Sequence, residues 1–425
     1  MVRPQLYYLV KNYLILNAGK TLGVFFSFML IPIYTRSLTK EQYGLLELSL
    51  TAIFFMSSLS SMGIPQLIGV EFARLGEEAW GRVSKLNSIH TRVSLPLLVL
   101  VGVFFYSSNL PELKEVTLPL VLIIIASSFF LYYRSAYTAV MVHTSKVPLL
   151  SITEMSYGIL NFSMNYLVLV VFEIVNVSII LISQLISGLL YFFISKKLKD
   201  KETRSDFSID LKIIWEEARI SFPLSLTVLC SWVLTSCDRW IIAGHMSLDD
   251  VGTYSLSFRL ASIYQFFIVT SVSVLFSPII YRSFKSVGLK STYKRIMLLI
   301  LSLTIVTAAV ALLFSLFGHA LFLRLIGEEF LGSFSYINPL IFCFYMGCLT
   351  IFVNYIFIYT KKTKLTLLMY VIGALTNFFT NHILIEDYGL KGVVMATFLS
   401  YVIMVFYGMV MNYRVSKTLL KEVSL

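Results

Sequence analysis

Runs of roughly 20 mostly apolar residues, the length that crosses a hydrocarbon core, alternate with short charged breaks along nearly the whole chain. They fall at 12–33, 44–68, 89–108, 117–139, 149–172 and 177–195, and again at 219–242, 253–280, 296–317, 334–360, 365–385 and 392–412. Helices of a soluble core are shorter and keep a polar face. The pattern therefore predicts an all-α polytopic membrane protein with about twelve transmembrane helices. The first run is read as a span rather than a removable leader. It is too long, carries Lys20, and leads into Pro32 and Tyr34 rather than a small-residue cleavage site.

Composition sharpens this. Of 425 residues, 57% are hydrophobic and 13% charged, against about a quarter charged in a soluble domain. The net charge of +11 would suit nucleic acid, but its distribution argues for topology instead. With the termini and alternate loops on one side, that side collects most of the Lys and Arg, including Lys196 to Arg219, Arg282 to Arg295 and Lys361 to Lys364. The other side holds only Arg36, Lys40, Lys114, Arg324 and Lys391. Positive loops stay cytoplasmic, so both termini are expected there, with an even number of spans and no nucleic-acid partner. The four cysteines, Cys230, Cys237, Cys343 and Cys348, fall inside spans without C-x-x-C spacing, so no disulfide framework, metal site or cofactor is indicated.

The longest charged stretch, Lys196 to Glu217, separates the sixth run from the seventh. Three parts are expected: a six-helix bundle at 1–195, a cytoplasmic linker at 196–218 and a second six-helix bundle at 219–425. Asp210 to Arg219 alternates apolar and charged residues at helical spacing, as a helix lying along the interface does. The two bundles share a pattern. At one constant offset Lys11 meets Arg219, Thr39 meets Ser247, Gly44 meets Gly252 and Leu48-Ser49 meets Leu256-Ser257. At a slightly longer offset Asn161-Phe162-x-x-Asn165 meets Asn377-Phe378-x-x-Asn381. Six spans per repeat give a parallel pseudo-symmetry, the arrangement by which transporters rock one bundle against another about a central site.

Two kinds of polar residue inside the spans carry candidate chemistry. Asn161 and Asn165, like Asn377 and Asn381, stand one turn apart on a helix face, where they serve either as interhelical glue or as ligand contacts. The charged residues Lys20, Arg134, Glu154, Asp238, Arg239 and Arg259 do not repeat between halves. Intramembrane ionisable groups are costly and normally face a partner or a cavity. Surplus cations suit an anionic substrate such as a phosphate or diphosphate, with Lys20, Arg134, Arg239 and Arg259 as binding candidates. Internal pairing, such as Arg134 with Glu154 or Arg239 with Asp238 or Glu47, is the other reading. Glu154 and Asp238 are candidates for a coupling ion by position alone. Gly19-Lys20-Thr21 echoes a phosphate-binding loop, but position 14 is Leu and the segment is a span, which argues against ATP hydrolysis. No nucleophile motif, metal-spaced histidines or paired catalytic carboxylates are present in the sequence.

Ile31-Pro-Ile-Tyr-Thr-Arg36, running into Leu38-Thr-Lys-Glu-Gln-Tyr-Gly44, resembles the bacterial Wzx-type lipid-linked oligosaccharide flippases. These belong to the superfamily that also holds multidrug and toxin extruders. The resemblance continues through Asp238-Arg239-x-x-Ile242, Gly252-x-Tyr254 and Asn377 to Asn381. It ends in Tyr388-Gly-Leu-Lys-Gly392 with Ala396-Thr397 and Ser400-Tyr401. It implies two six-helix bundles around a central cavity, alternately open to either side of a bacterial inner membrane. It also implies a polyprenyl-pyrophosphate oligosaccharide as substrate, a proton or sodium gradient as drive, and polymerase and other glycan-assembly proteins as partners. The expected function is flipping of that lipid for O-antigen or other surface polysaccharide. A small-molecule exporter is the alternative, although an acid-rich cavity would suit it better. A membrane glycan polymerase is a further rival, but it would usually need a large outer loop, and the longest loop here is cytoplasmic.

Overall fold

The computed structural model describes residues 2–61, 63–75, 83, 94–103, 117–143, 147–198 and 211–423; side chains of residues 2–18, 20, 66, 69–70, 73–75, 143, 147, 197–198, 211–224, 273–274, 278, 285, 321 and 419–423 fall outside that description. Among the described residues the chain is helical throughout, with no strand. It divides into two compact units, 1–229 and 230–425.

The first unit contains α1 (Val2–Ser37), α2 (Lys40–Ser61), α3 (Ile64–Leu75), α4 (Ser94–Val103), α5 (Leu118–His143), α6 (Val147–Tyr166) and α7 (Val177–Leu198). The expected single span at 44–68 is two helices. Gly63 takes φ +73°, a left-handed value that ends α2 and restarts the chain as α3. α1 packs chiefly on α6, and small residues make that seam. A Cβ on Gly158 would lie 2.6 Å from the Gly23 Cα, and one on Gly19 would lie 2.6 Å from the Ser151 Cα. Gly19 and Gly23, four apart on one face, thus let two backbones touch, the usual device of helix pairing in lipid. That contact fixes the depth of Glu154, whose carbonyl sits 3.1 Å from where a Gly23 Cβ would be.

α8 (Leu211–His245) runs without a break from the expected interfacial segment into the seventh span. Residues 199–210, most of the expected linker, lie outside the described residues. The second unit continues with α9 (Leu248–Tyr264), a π-helical turn (Gln265–Thr270), α10 (Ser271–Ser286) and α11 (Gly288–Leu325). It closes with α12 (Phe334–Tyr359) and α13 (Thr363–Val423). α13 is two arms joined at Gly389, whose φ +55° and ψ −136° no side-chain-bearing residue adopts comfortably. The expected spans 365–385 and 392–412 are those arms.

Among the described residues, eight helices are long and apolar enough to cross a membrane. α11 shows why. Thr292, Ile296, Leu303, Thr307, Ala311 and Phe322 form one buried stripe, while Met297, Leu301, Ile305, Leu312 and Phe317 are more than half exposed. Exposed apolar surface on that scale is foreign to a water-soluble monomer and is the face a bilayer covers.

Candidate functional site

Among the described residues, each unit holds a buried polar cluster around a carboxylate, and the two clusters differ. In the second unit the cluster is built on Asp238, fully buried on α8. Ser247 caps α9 by accepting the Asp250 N–H at 3.2 Å, turning the chain back so that α9 runs beside α8. Tyr254 on α9 then donates its hydroxyl to Asp238 Oδ2 at 2.6 Å. The bend at Gly389 brings both arms of α13 to the same carboxylate. Asn381 donates to Oδ1 at 3.0 Å and Thr397 to Oδ2 at 3.2 Å. Asn377, with its amide turned to donate, reaches Asp238 Oδ1 and the Val233 carbonyl, each at 3.2 Å. A carboxylate away from water is tolerable only when its lone pairs are filled, and an ionised one has about four acceptor positions. This set nearly fills them.

Arg239 is also buried, at 5% exposure, but it turns away from its neighbour. Nε donates to Ser255 Oγ at 3.1 Å and a terminal nitrogen donates to the Thr235 carbonyl at 2.9 Å. The guanidinium lies 4.5 Å from the centre of the Phe258 ring and 5.9 Å from that of Tyr254, within reach of a cation–π attraction.

The first unit's cluster is an ion pair. Arg134 on α5 grips Glu154 on α6 with two parallel bonds, Nε to Oε1 at 3.2 Å and a terminal nitrogen to Oε2. The same Oε1 takes longer contacts, at 3.4 Å, from the hydroxyls of Thr138 and Tyr191. Tyr157 lies under the guanidinium, 4.1 Å from ring centre to Arg134 Cζ. The two-pronged geometry is the strong form of this interaction, and the pair is mostly shielded, at 29% and 8% side-chain exposure.

The repeated asparagines bond differently in the two units. Asn165 Nδ2 donates to Asn161 Oδ1 at 3.1 Å, whereas Asn377 and Asn381 both turn their amide nitrogens to Asp238. Only the second pair meets a carboxylate; the position equivalent to Asp238 in the first unit is Leu30, which is buried. Of the charged candidates, the structure joins Arg134 to Glu154 and joins Asp238 to Asn377 and Asn381. Arg259 is half-buried on α9, and the side chain of Lys20 lies outside the described ones. Sequence reasoning did not single out Tyr254 and Thr397 as site residues, nor Tyr157 and Tyr191. The first two had a signal. Asp238 and Tyr254 stand at equal distances along the chain from the turn at Met246, as Asn381 and Thr397 do from Gly389.

A family model described as polysaccharide biosynthesis protein matches residues 9–284. No curated protein matches the chain by sequence. Among solved structures, the fold is similar to a multidrug resistance MATE family transporter of the MOP superfamily in its inward-facing conformation, at TM-score 0.74 and 12% identity, over 94% of this chain and 96% of that one. It is similar to the lipid II flippase MurJ in its inward closed conformation, at TM-score 0.72 and 16% identity, over 96% and 90%. A MOP superfamily transporter from Pyrococcus furiosus aligns at TM-score 0.57 and 14% identity, over 96% of both chains.

Proposed function

The chain belongs to the polysaccharide biosynthesis protein family, and from that premise we propose that it is a flippase for a polyprenyl-pyrophosphate-linked oligosaccharide. It carries the lipid from the cytoplasmic to the outer leaflet of a bacterial inner membrane by alternating access, for assembly of O-antigen or another surface polysaccharide. Both termini are cytoplasmic in this reading. The bundles are 1–195 and 219–425, joined by the linker 196–218, and polymerase and other glycan-assembly proteins receive the product. The observation that carries the reading is the family match over residues 9–284 on a polytopic helical fold shared with a lipid flippase.

The diphosphate needs cationic partners, and Lys20, Arg134, Arg239 and Arg259 are the candidates for attracting it. Asp238 and Glu154 are the candidate coupling groups for a proton or sodium ion. Asp238 is the better placed, because protonating it would break its accepting role toward donors on both α9 and α13.

The test is mass spectrometry of the lipid extract from a strain lacking this gene. Accumulated polyprenyl-pyrophosphate oligosaccharide, cleared by the wild-type gene and not by Arg259→Ala, is the expected result. An unchanged pool in a strain without a second flippase favours export of small molecules instead, the reading supported by the similarity to a multidrug transporter.

A further inference from the structure

Beside the Arg134–Glu154 pair, within the first unit, lies a cavity of about 150 Å³. Its walls come from α2, α5, α6 and α7, and its polar and aromatic lining consists of Ser127, Phe130, Arg134, Tyr157, Gln184 and Tyr191. From this cavity we infer that the first unit contains a binding subsite for one uncharged, hydroxyl-bearing six-membered ring, a single pyranose of the transported glycan.

Three observations converge on that occupant. The first is size. A cavity near 150 Å³ holds one benzene ring, so this space accepts a single ring and not a chain of sugars. The second is charge. The guanidinium that faces the cavity is already gripped twice by Glu154. A phosphate entering here would have to expel that carboxylate or crowd a second anion beside it, so the neutral part of the substrate is the part that fits.

The third is unmet hydrogen bonding. Ser127 Oγ is buried and has no hydrogen-bond partner; Gln184, half-buried and without a hydrogen bond among the described residues, lines the same space. Serines on helices commonly bond the carbonyl one turn back, as Ser128 does beside it at 2.7 Å; Ser127 does not. A buried polar group left without a partner is unfavourable, and a polyol supplies both donor and acceptor to a hydroxyl and an amide. Phe130, Tyr157 and Tyr191 offer apolar walls for the C–H faces of such a ring, with the negative aromatic face toward them. Attribution of the ring to the glycan rests on the flippase reading; the affinity for a pyranose does not.

The experiment uses the full chain in lipid nanodiscs, with methyl pyranosides of glucose, galactose, mannose, rhamnose and N-acetylglucosamine as probes, read by saturation-transfer NMR. At least one glycoside is expected to bind saturably. Ser127→Ala and Gln184→Leu should each weaken that binding about fivefold, the order of a single neutral hydrogen bond. Because neither side chain bonds within the protein, neither variant should lower the thermal midpoint. Saturable binding to no glycoside, unchanged affinity in both variants, or competitive displacement by inorganic pyrophosphate overturns the subsite. Glycoside binding lost in the variants, together with an unchanged lipid pool in the deletion strain, leaves the subsite standing and removes the flippase reading.

Discussion

Tyr254 donates its hydroxyl to Asp238 Oδ2 across 2.6 Å, although the two stand on different helices. The bond spans the α8–α9 turn, while Asn381 and Thr397 reach the same carboxylate from the two arms of α13. Four helical segments of the second unit are therefore tied at one buried ionisable group. A change in its charge is felt by all of them.

Replacing Asp238 with Asn keeps the shape and removes the charge on which these donors converge. On the flippase proposal, transport of the lipid-linked substrate should fall at least tenfold while the protein still reaches the membrane. Tyr254→Phe should lower stability by about 1.5–3 kcal/mol, the range for a bond to a charged group. Flipping in reconstituted vesicles and unfolding of the detergent-solubilised protein measure the two. Full transport by the Asn variant would remove Asp238 from the mechanism.

Breaking the ion pair from one side should be worse than removing it whole. Arg134→Met strands a shielded Glu154, and the loss of one partner of a buried pair is typically about 3–5 kcal/mol. The combined Arg134→Met, Glu154→Leu variant should be more stable than either single change. A double-mutant cycle on thermal midpoints gives the coupling, and additive effects would mean the pair contributes little.

The α1–α6 seam should reject bulk. A side chain on Gly158 meets the Gly23 backbone, not a flexible tip that can swing aside. Gly158→Val should therefore cost at least about 1–3 kcal/mol, the range for overpacking, and lower the folded yield in size-exclusion chromatography. A neighbour facing outward, Ile159, tolerates Val without loss.

Gly389→Ala meets little steric obstruction, since the nearest atom to its Cβ is the Met246 methyl at 3.5 Å. Its cost is conformational, about 1–3 kcal/mol for a side-chain-bearing residue held in that backbone region. A lower thermal midpoint is expected, with a larger relative loss of transport because Asn381 and Thr397 shift from Asp238. If midpoint and transport both match the wild type, the bend does not depend on glycine.

Much of this architecture was readable from residue order. Apolar runs located the helices because lipid imposes a length on them. The matched N-F-x-x-N segments identified the asparagines that bond each other in the first unit and Asp238 in the second. What stayed hidden depended on three-dimensional neighbours. Hydropathy could not detect the break at Gly63, since one left-handed residue leaves an apolar run unchanged. It gave no reason to separate Tyr254 from the other 24 tyrosines, because only the hairpin turned at Ser247 brings it to Asp238. Ser127 was equally silent; its interest lies in a bond it does not make.

The seam at Gly19 and Gly23 has one more consequence. Where two backbones touch there is no gutter for a hydrocarbon chain, so that flank of the first unit is shut to a polyprenyl tail. A lipid whose head group crosses through this protein must trail its tail past some other edge, and photo-crosslinkers placed along α1 opposite α6 should stay silent toward it.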